Sequence, residues 1–223
     1  MYSSGNYEKY MSKNPLKRKM VERLNERILS RVREAVDLAA ADPAASLPVR
    51  ILDAGCGEGF ISGLLYANLR DVEIAGLEYS DEAIEMARRM NPEIQFVQGD
   101  IAHMPFENGA FDIVLCTEVL EHLEKPSDAL WEISRIAKRV ILLTVPDEPW
   151  FCLGNLLVLK NVRRLGNPVD HVNHWTFHAF SRFVESCLSS PHTRCILHER
   201  CFPWIMTVYE KESNEISAKS AGE

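Results

Sequence analysis

Ile51-Leu52-Asp53-Ala54-Gly55-Cys56-Gly57-Glu58-Gly59 decides the fold of this 223-residue chain. An apolar run ends in Asp-x-Gly-x-Gly-x-Gly, and a helical apolar pattern follows from Phe60 to Leu69. Glycines between a strand and a helix let the backbone approach a nucleotide-like ligand closely. The third glycine comes two residues after the second, whereas the dinucleotide fingerprint spaces them by three. Asp53 stands two residues before the first glycine. A pyrophosphate is repelled by a carboxylate there, and a ligand carrying positive charge is attracted by it.

The stretches downstream extend the same architecture. Val72 to Glu78 reads as a second strand ending in an acid, 25 residues beyond Asp53. An acid near that offset suits the hydroxyls of a ribose. Ser80 reads as the N-cap of a helix opened by Asp81 and Glu82, with Ala83, Ile84, Met86 and Ala87 as apolar positions. Ile94 to Gln98 is a third strand leading into Gly99-Asp100, and Phe111 to Cys116 a fourth leading into Thr117-Glu118. A polar or acidic residue thus follows each strand, and in an open parallel sheet those ends line one crevice, where ligands bind. S-adenosylmethionine carries a cationic amine, a sulfonium and a ribose but no phosphate, and it fits this pattern.

Asp53 to Gly59, Gly99-Asp100, Phe111-Asp112-Ile113-Val114 and Glu121-His122-Leu123 together resemble the class I S-adenosylmethionine-dependent methyltransferases, in their small-molecule, type 11-like branch. The likeness is close over residues 50–146 and loose elsewhere. It implies an α/β, Rossmann-like, seven-stranded, mostly parallel sheet with a C-terminal antiparallel hairpin and helices on both faces. It implies S-adenosyl-L-methionine as cofactor, with Asp53, Gly55, Cys56 and Gly57 around the methionine part and Glu78 on the ribose. Tyr79 would flank the adenine, Asp100 would take its amino group, Ile101 would lie against the ring, and Thr117 and Glu118 would complete the crevice. It also implies a transferase that methylates oxygen, nitrogen or carbon of a small organic acceptor.

Glu118, Glu121 and His122 lie at i, i+3 and i+4, a spacing that puts all three on one helical face. With His171 or His174 they resemble the metal-dependent RNA 2′-O-methyltransferases, and Asp170-His171-Val172-Asn173-His174-Trp175-Thr176 echoes the late element of that group. The acid–histidine pair is common across the wider family, where it fixes the loop after the fourth strand, so no metal site is assigned. His122, His171 and His174 are the candidate bases, since imidazole titrates near working pH. Thr176 as a cap of the next helix is the structural alternative for that segment.

Length suits one α/β domain with lid elements. Residues 1–48 are expected to form an arm and a helical lid, with 1–14 as a mobile arm. Pro15 opens a helix to about Ala41, with Leu16, Met20, Leu24, Ile28 and Val32 on one stripe. Ala44 to Pro48 link it to a methyltransferase domain over 49–211 that contains an insertion at 147–175. Residues 212–223 are polar and expected to be disordered. Helices are expected from Pro126 and over Phe177–Leu188, and strands over Arg139–Val145, Arg194–Cys201 and Trp204–Glu210. The insertion is unusually apolar (Trp150, Phe151, Leu153, Leu156, Leu157, Val158, Leu159) and suits cover for an apolar substrate, a membrane surface or a dimer contact.

The net charge of -7 argues against a broad nucleic-acid footprint. Lys13, Lys17, Arg18, Lys19 and Arg23 read as a solvated helix face. The six cysteines show no paired spacing and read as reduced thiols. With no apolar run of spanning length and no leader pattern, the chain is expected to be cytoplasmic, with a small-molecule substrate, no stable nucleic-acid partner and scope for a homodimer. A non-catalytic S-adenosylmethionine-binding protein and a nucleotide-dependent oxidoreductase are the competing classes.

Overall fold

The structure, a computed structural model, describes residues 5–41, 47–157, 161–168 and 170–212. Four expectations lie wholly or partly outside the described residues: the first four residues of the arm, the linker at 44–46, Val158 and Leu159 of the insertion, and the tail over 213–223.

Seven strands form one sheet in the order β3-β2-β1-β4-β5-β7-β6. They are β1 (Val49–Ala54), β2 (Val72–Glu78), β3 (Gln95–Gln98), β4 (Phe111–Thr117), β5 (Ala137–Pro146), β6 (Thr193–Cys201) and β7 (Trp204–Lys211). β1 to β5 run parallel, and β7 lies antiparallel between β5 and β6. The central strands are buried on both faces and so read as near-continuous apolar runs rather than alternating ones. The expected α/β sheet with a C-terminal antiparallel hairpin is therefore what forms.

The helices are α1 (Gly5–Tyr10), α2 (Pro15–Ala40), α3 (Phe60–Asn68), α4 (Asp81–Met90), α5 (Pro126–Ile136), α6 (Trp150–Leu157) and α7 (Phe177–Leu188). α2, α3 and α4 cover one face of the sheet, and α5 and α7 the other. Asn14 caps α2 by accepting from the Leu16 N–H at 2.9 Å, and Pro15 takes the first turn, where its missing N–H costs nothing. Ser80 caps α4 and Thr176 caps α7 in the same way.

Three sequence readings are corrected. The buried stripe of α2 is Val21, Leu24, Ile28, Val32, Ala35 and Ala39, and Leu16 is exposed. A strict four-residue repeat drifts round a helix of 3.6 residues per turn, so Leu16 leaves the buried face while Met20 stays half-buried against the core. Residues 5–10 of the expected mobile arm are a helix, α1, docked on α2 and α3 through Tyr10. β5 starts two residues earlier than expected and runs through Pro146, because pairing with β7 continues to Pro146 opposite Trp204.

Candidate active site

A cavity of about 840 Å³ opens at the carboxyl ends of β1, β2 and β4, roofed by α1 and α2. The glycine turn makes its floor. Gly55, Gly57 and Gly59 have φ of 80°, 53° and 79°, a region that residues with a Cβ seldom adopt. A Cβ on Gly55 would stand 2.5 Å from Val119 Cγ2, so this position also needs the missing side chain for close approach to the loop after β4.

Asp53, Gly55, Cys56, Gly57, Glu78, Tyr79, Asp100, Ile101, Thr117 and Glu118, all named from sequence, line this one cavity. Asp53 is fully buried, and its Oδ2 accepts from Ser62 Oγ at 2.6 Å. Its Oδ1 is buried with no partner, an acceptor left facing a missing donor. Burial pushes the Asp53 carboxyl up to about 6, and nearby Glu78 adds to the push. Glu78 ties the loops together: Oε2 accepts from Gly57 N–H at 2.9 Å and Oε1 from Ser80 N–H at 2.8 Å. A carboxylate has about four acceptor positions, so two remain for a ligand. Asp100 accepts from Ala102 N–H at 2.8 Å, and the Tyr79 ring is 77% exposed beside it. Cys56 packs against Gly76 and Phe96, and burial raises its thiol well above the usual range, which removes it as a nucleophile.

Glu118 departs from the expected arrangement. Its φ is 59°, and the short 3-10 turn begins only at Leu120, so Glu118, Glu121 and His122 do not share a helical face. Glu118 instead accepts from Trp204 Nε1 at the head of β7 and pairs with Lys9 Nζ of α1 at 3.6 Å. Burial raises its carboxyl while Lys9 opposes the rise.

Of the candidate bases, His122 lines the cavity, and His171 and His174 are not among its lining residues. His122 Nδ1 lies 3.0 Å from the Asp170 carbonyl oxygen and 3.4 Å from its carboxylate. Asn173 Nδ2 donates to the Leu120 and Leu123 carbonyls at 3.2 and 2.6 Å, which fastens the 170–176 segment to the loop after β4. His171 stacks on Phe151 and meets His122 edge-on at 5.0 Å.

Sequence reasoning missed Lys9, Phe60, Glu124, Asp170 and Trp204 as parts of this site. Glu118 gathers two of them from 109 and 86 residues away, and neither separation leaves a local motif.

Residues 52–141 match the family described as Methyltransferase domain. The chain is 32% identical over 147 residues to the mitochondrial ubiquinone biosynthesis O-methyltransferase of Schizosaccharomyces pombe, covering 61% of this chain and 50% of that one. It is 28% identical over 130 residues to the malonyl-[acyl-carrier protein] O-methyltransferase of Halalkalibacterium halodurans, covering 56% and 45%. The chain thus spans half or less of these curated relatives. Among solved structures, the plantazolicin methyltransferase BpumL in complex with SAH superposes with a TM-score of 0.66 at 16% identity, over 92% of this chain and 93% of that one.

Proposed function

We propose that this chain, which carries a class I S-adenosylmethionine-dependent methyltransferase domain over residues 52–141, transfers a methyl group to a small organic acceptor. The observation that carries the reading is the charge of the cavity. Among the described residues, seven carboxylates line it (Asp53, Glu58, Glu78, Asp100, Glu118, Glu124 and Asp170) against a single lysine, Lys9, which already pairs with Glu118. Such a site repels a pyrophosphate and attracts a ligand that carries an ammonium and a sulfonium.

The residues present fit S-adenosylmethionine. Asp53 Oδ1 is a buried acceptor in want of a donor, Glu78 keeps acceptor capacity for a diol, and the Cβ-free turn at Gly55 leaves room for close approach. In this reading Asp53 holds the amine, Glu78 the ribose, and Tyr79, Asp100 and Ile101 the adenine. The bound cofactor supplies an activated methyl group and a good leaving group. The chain supplies alignment and exclusion of water. α1 covers the cavity with Lys9 and Tyr10. His122 is the proposed general base for a hydroxyl acceptor: Asp170 holds its Nδ1, and Nε2 is left to take the proton. These residues favour a compact, uncharged or cationic acceptor, since further negative charge would meet seven carboxylates.

Calorimetry with S-adenosylmethionine and with NAD tests the cofactor half. Binding of NAD and not S-adenosylmethionine would overturn it. Incubation of the protein with methyl-labelled cofactor and a small-molecule extract, followed by mass analysis, tests the acceptor half. Label appearing only in RNA would replace the proposed acceptor class.

A further inference from the structure

We propose that Glu148, His171 and His174 form a binding site for one divalent transition-metal ion, placed one layer behind the cavity. Glu148 follows the end of β5, and both histidines stand in the 170–176 segment. The Glu148 N–H donates to the Trp175 carbonyl at 2.9 Å, which sews the two segments together. One ligand atom from each of the three residues lies within 4.8 Å of the others.

Two of the three side chains are nine-tenths buried and incompletely partnered. Glu148 is 8% exposed; Oε2 accepts from the Cys152 N–H at 3.2 Å, and Oε1 is buried with no partner. His171 is 9% exposed, and its Nδ1 is buried with no partner. Unsatisfied buried polar atoms are costly, and a cation shared by these side chains would satisfy them. Glu148 Oε1 and His174 Nδ1 are 3.8 Å apart, too far for a good hydrogen bond. Two ligands each about 2.1 Å from a shared tetrahedral ion stand roughly 3.4 Å apart, close to this separation.

The outer partners agree. Asn167 Nδ2 lies 2.9 Å from His174 Nε2, while Asn167 Oδ1 is buried without a partner. Amide oxygen and nitrogen are assigned from their surroundings, and exchanging them places an acceptor against Nε2. Oδ1 then accepts from Nε2–H, and Nδ1 turns its lone pair toward Glu148. A metal-bound histidine is ordinarily held this way by an acceptor on its other nitrogen.

A neighbouring cluster, Glu121, His122 and His171, shares one histidine with this site. The variants described below distinguish the two. His122 Nδ1 is held by Asp170, its Nε2 lies 3.9 Å from Glu121 Oε1, and Glu121 Oε2 is buried with no partner. Two imidazoles and a carboxylate with open positions suit Zn²⁺, Fe²⁺, Mn²⁺ or Co²⁺ better than Mg²⁺ or Ca²⁺. The ion would lock the insertion against the end of β5.

The inference does not rest on methyl transfer, so its test reads metal alone. The full chain is stripped with EDTA and titrated with Co²⁺, followed by visible absorption, with Zn²⁺ competition and metal content by mass spectrometry. One ion per chain is expected. Glu148→Gln and His174→Ala should each weaken it by at least about tenfold, and Asn167→Leu by about 10–100-fold. Glu121→Gln and His122→Asn should leave it within about threefold. Circular dichroism confirms that each variant is folded, and His174, which is partly exposed, tolerates truncation without a cavity. Absence of stoichiometric binding would overturn the site. So would binding lost in Glu121→Gln and His122→Asn but kept in Glu148→Gln and His174→Ala.

Discussion

In the proposed function, Asp53 is the residue at which stability and binding oppose each other. An acid with a raised pKa holds more protons folded than unfolded, here between its ordinary 3.8 and about 6. Stability therefore falls as pH climbs through that window, and the cost persists above it. A shift of about two units corresponds to about 3 kcal/mol at most. Asp53→Asn keeps an acceptor for Ser62 and removes the buried charge. It should raise the melting temperature of the ligand-free protein at pH 7.5 and weaken S-adenosylmethionine binding at least tenfold. A variant that binds normally would break the link. In the natural chain, affinity should decline as pH falls below about 6, where Asp53 takes up a proton. Glu78→Ala removes a carboxylate that bridges Gly57 and Ser80 and has two positions left. Charge-assisted bonds are worth roughly 1.5–3 kcal/mol each. Binding should drop at least tenfold in calorimetry, and a loss under threefold would put another group at the ribose. Both residues were legible because each ends a strand beside glycines. Their partners were not: the Ser62 hydroxyl reaches Asp53 from the next helix, and nothing in the spacing marks it.

At the scale of elements, α1 is the part with least support of its own. Six residues make too short a helix to persist alone, and it is held by docking. Tyr10 stacks on Phe60 with centroids 4.2 Å apart and donates to Asn25 Oδ1 at 3.2 Å. An aromatic pair and a hydrogen bond are each worth about 1 kcal/mol. Tyr10→Ala should release α1, speed proteolysis before Pro15, and quicken cofactor dissociation, with the far-UV spectrum of the core unchanged. An unchanged cleavage rate would show that α1 is held by other contacts. The main elements could be read from sequence because their apolar periods and caps are local. The docking of α1 could not, since it depends on a side chain that meets Phe60 from 50 residues away. The left-handed turn at Glu118 was hidden too, because an acid at such φ is held by tertiary partners, here Lys9 and Trp204, and not by its neighbours in sequence.

For the whole molecule, the net negative charge is matched by the carboxylates that line the cavity. A net charge of -7 and a cavity with seven carboxylates should accelerate the approach of a cationic ligand and slow that of an anionic one. Stopped-flow measurement should show the association rate of S-adenosylmethionine falling as salt rises, because screening shortens the reach of the field. A rate independent of ionic strength would mean that the cavity carboxylates are neutralised internally before the ligand arrives.

β7 carries a consequence for biogenesis. It lies between β5 and β6 although it follows both in the chain, and its first residue, Trp204, touches Glu118. During translation the five parallel strands emerge first and can pair in order, but β6 has no neighbour until β7 slides in between. The Trp204 contact to Glu118 beside the cavity thus forms only after the other six described strands have left the ribosome. A nascent chain halted before Trp204 would expose the flank of β5 as an unpaired edge, open to chaperones and to mispairing.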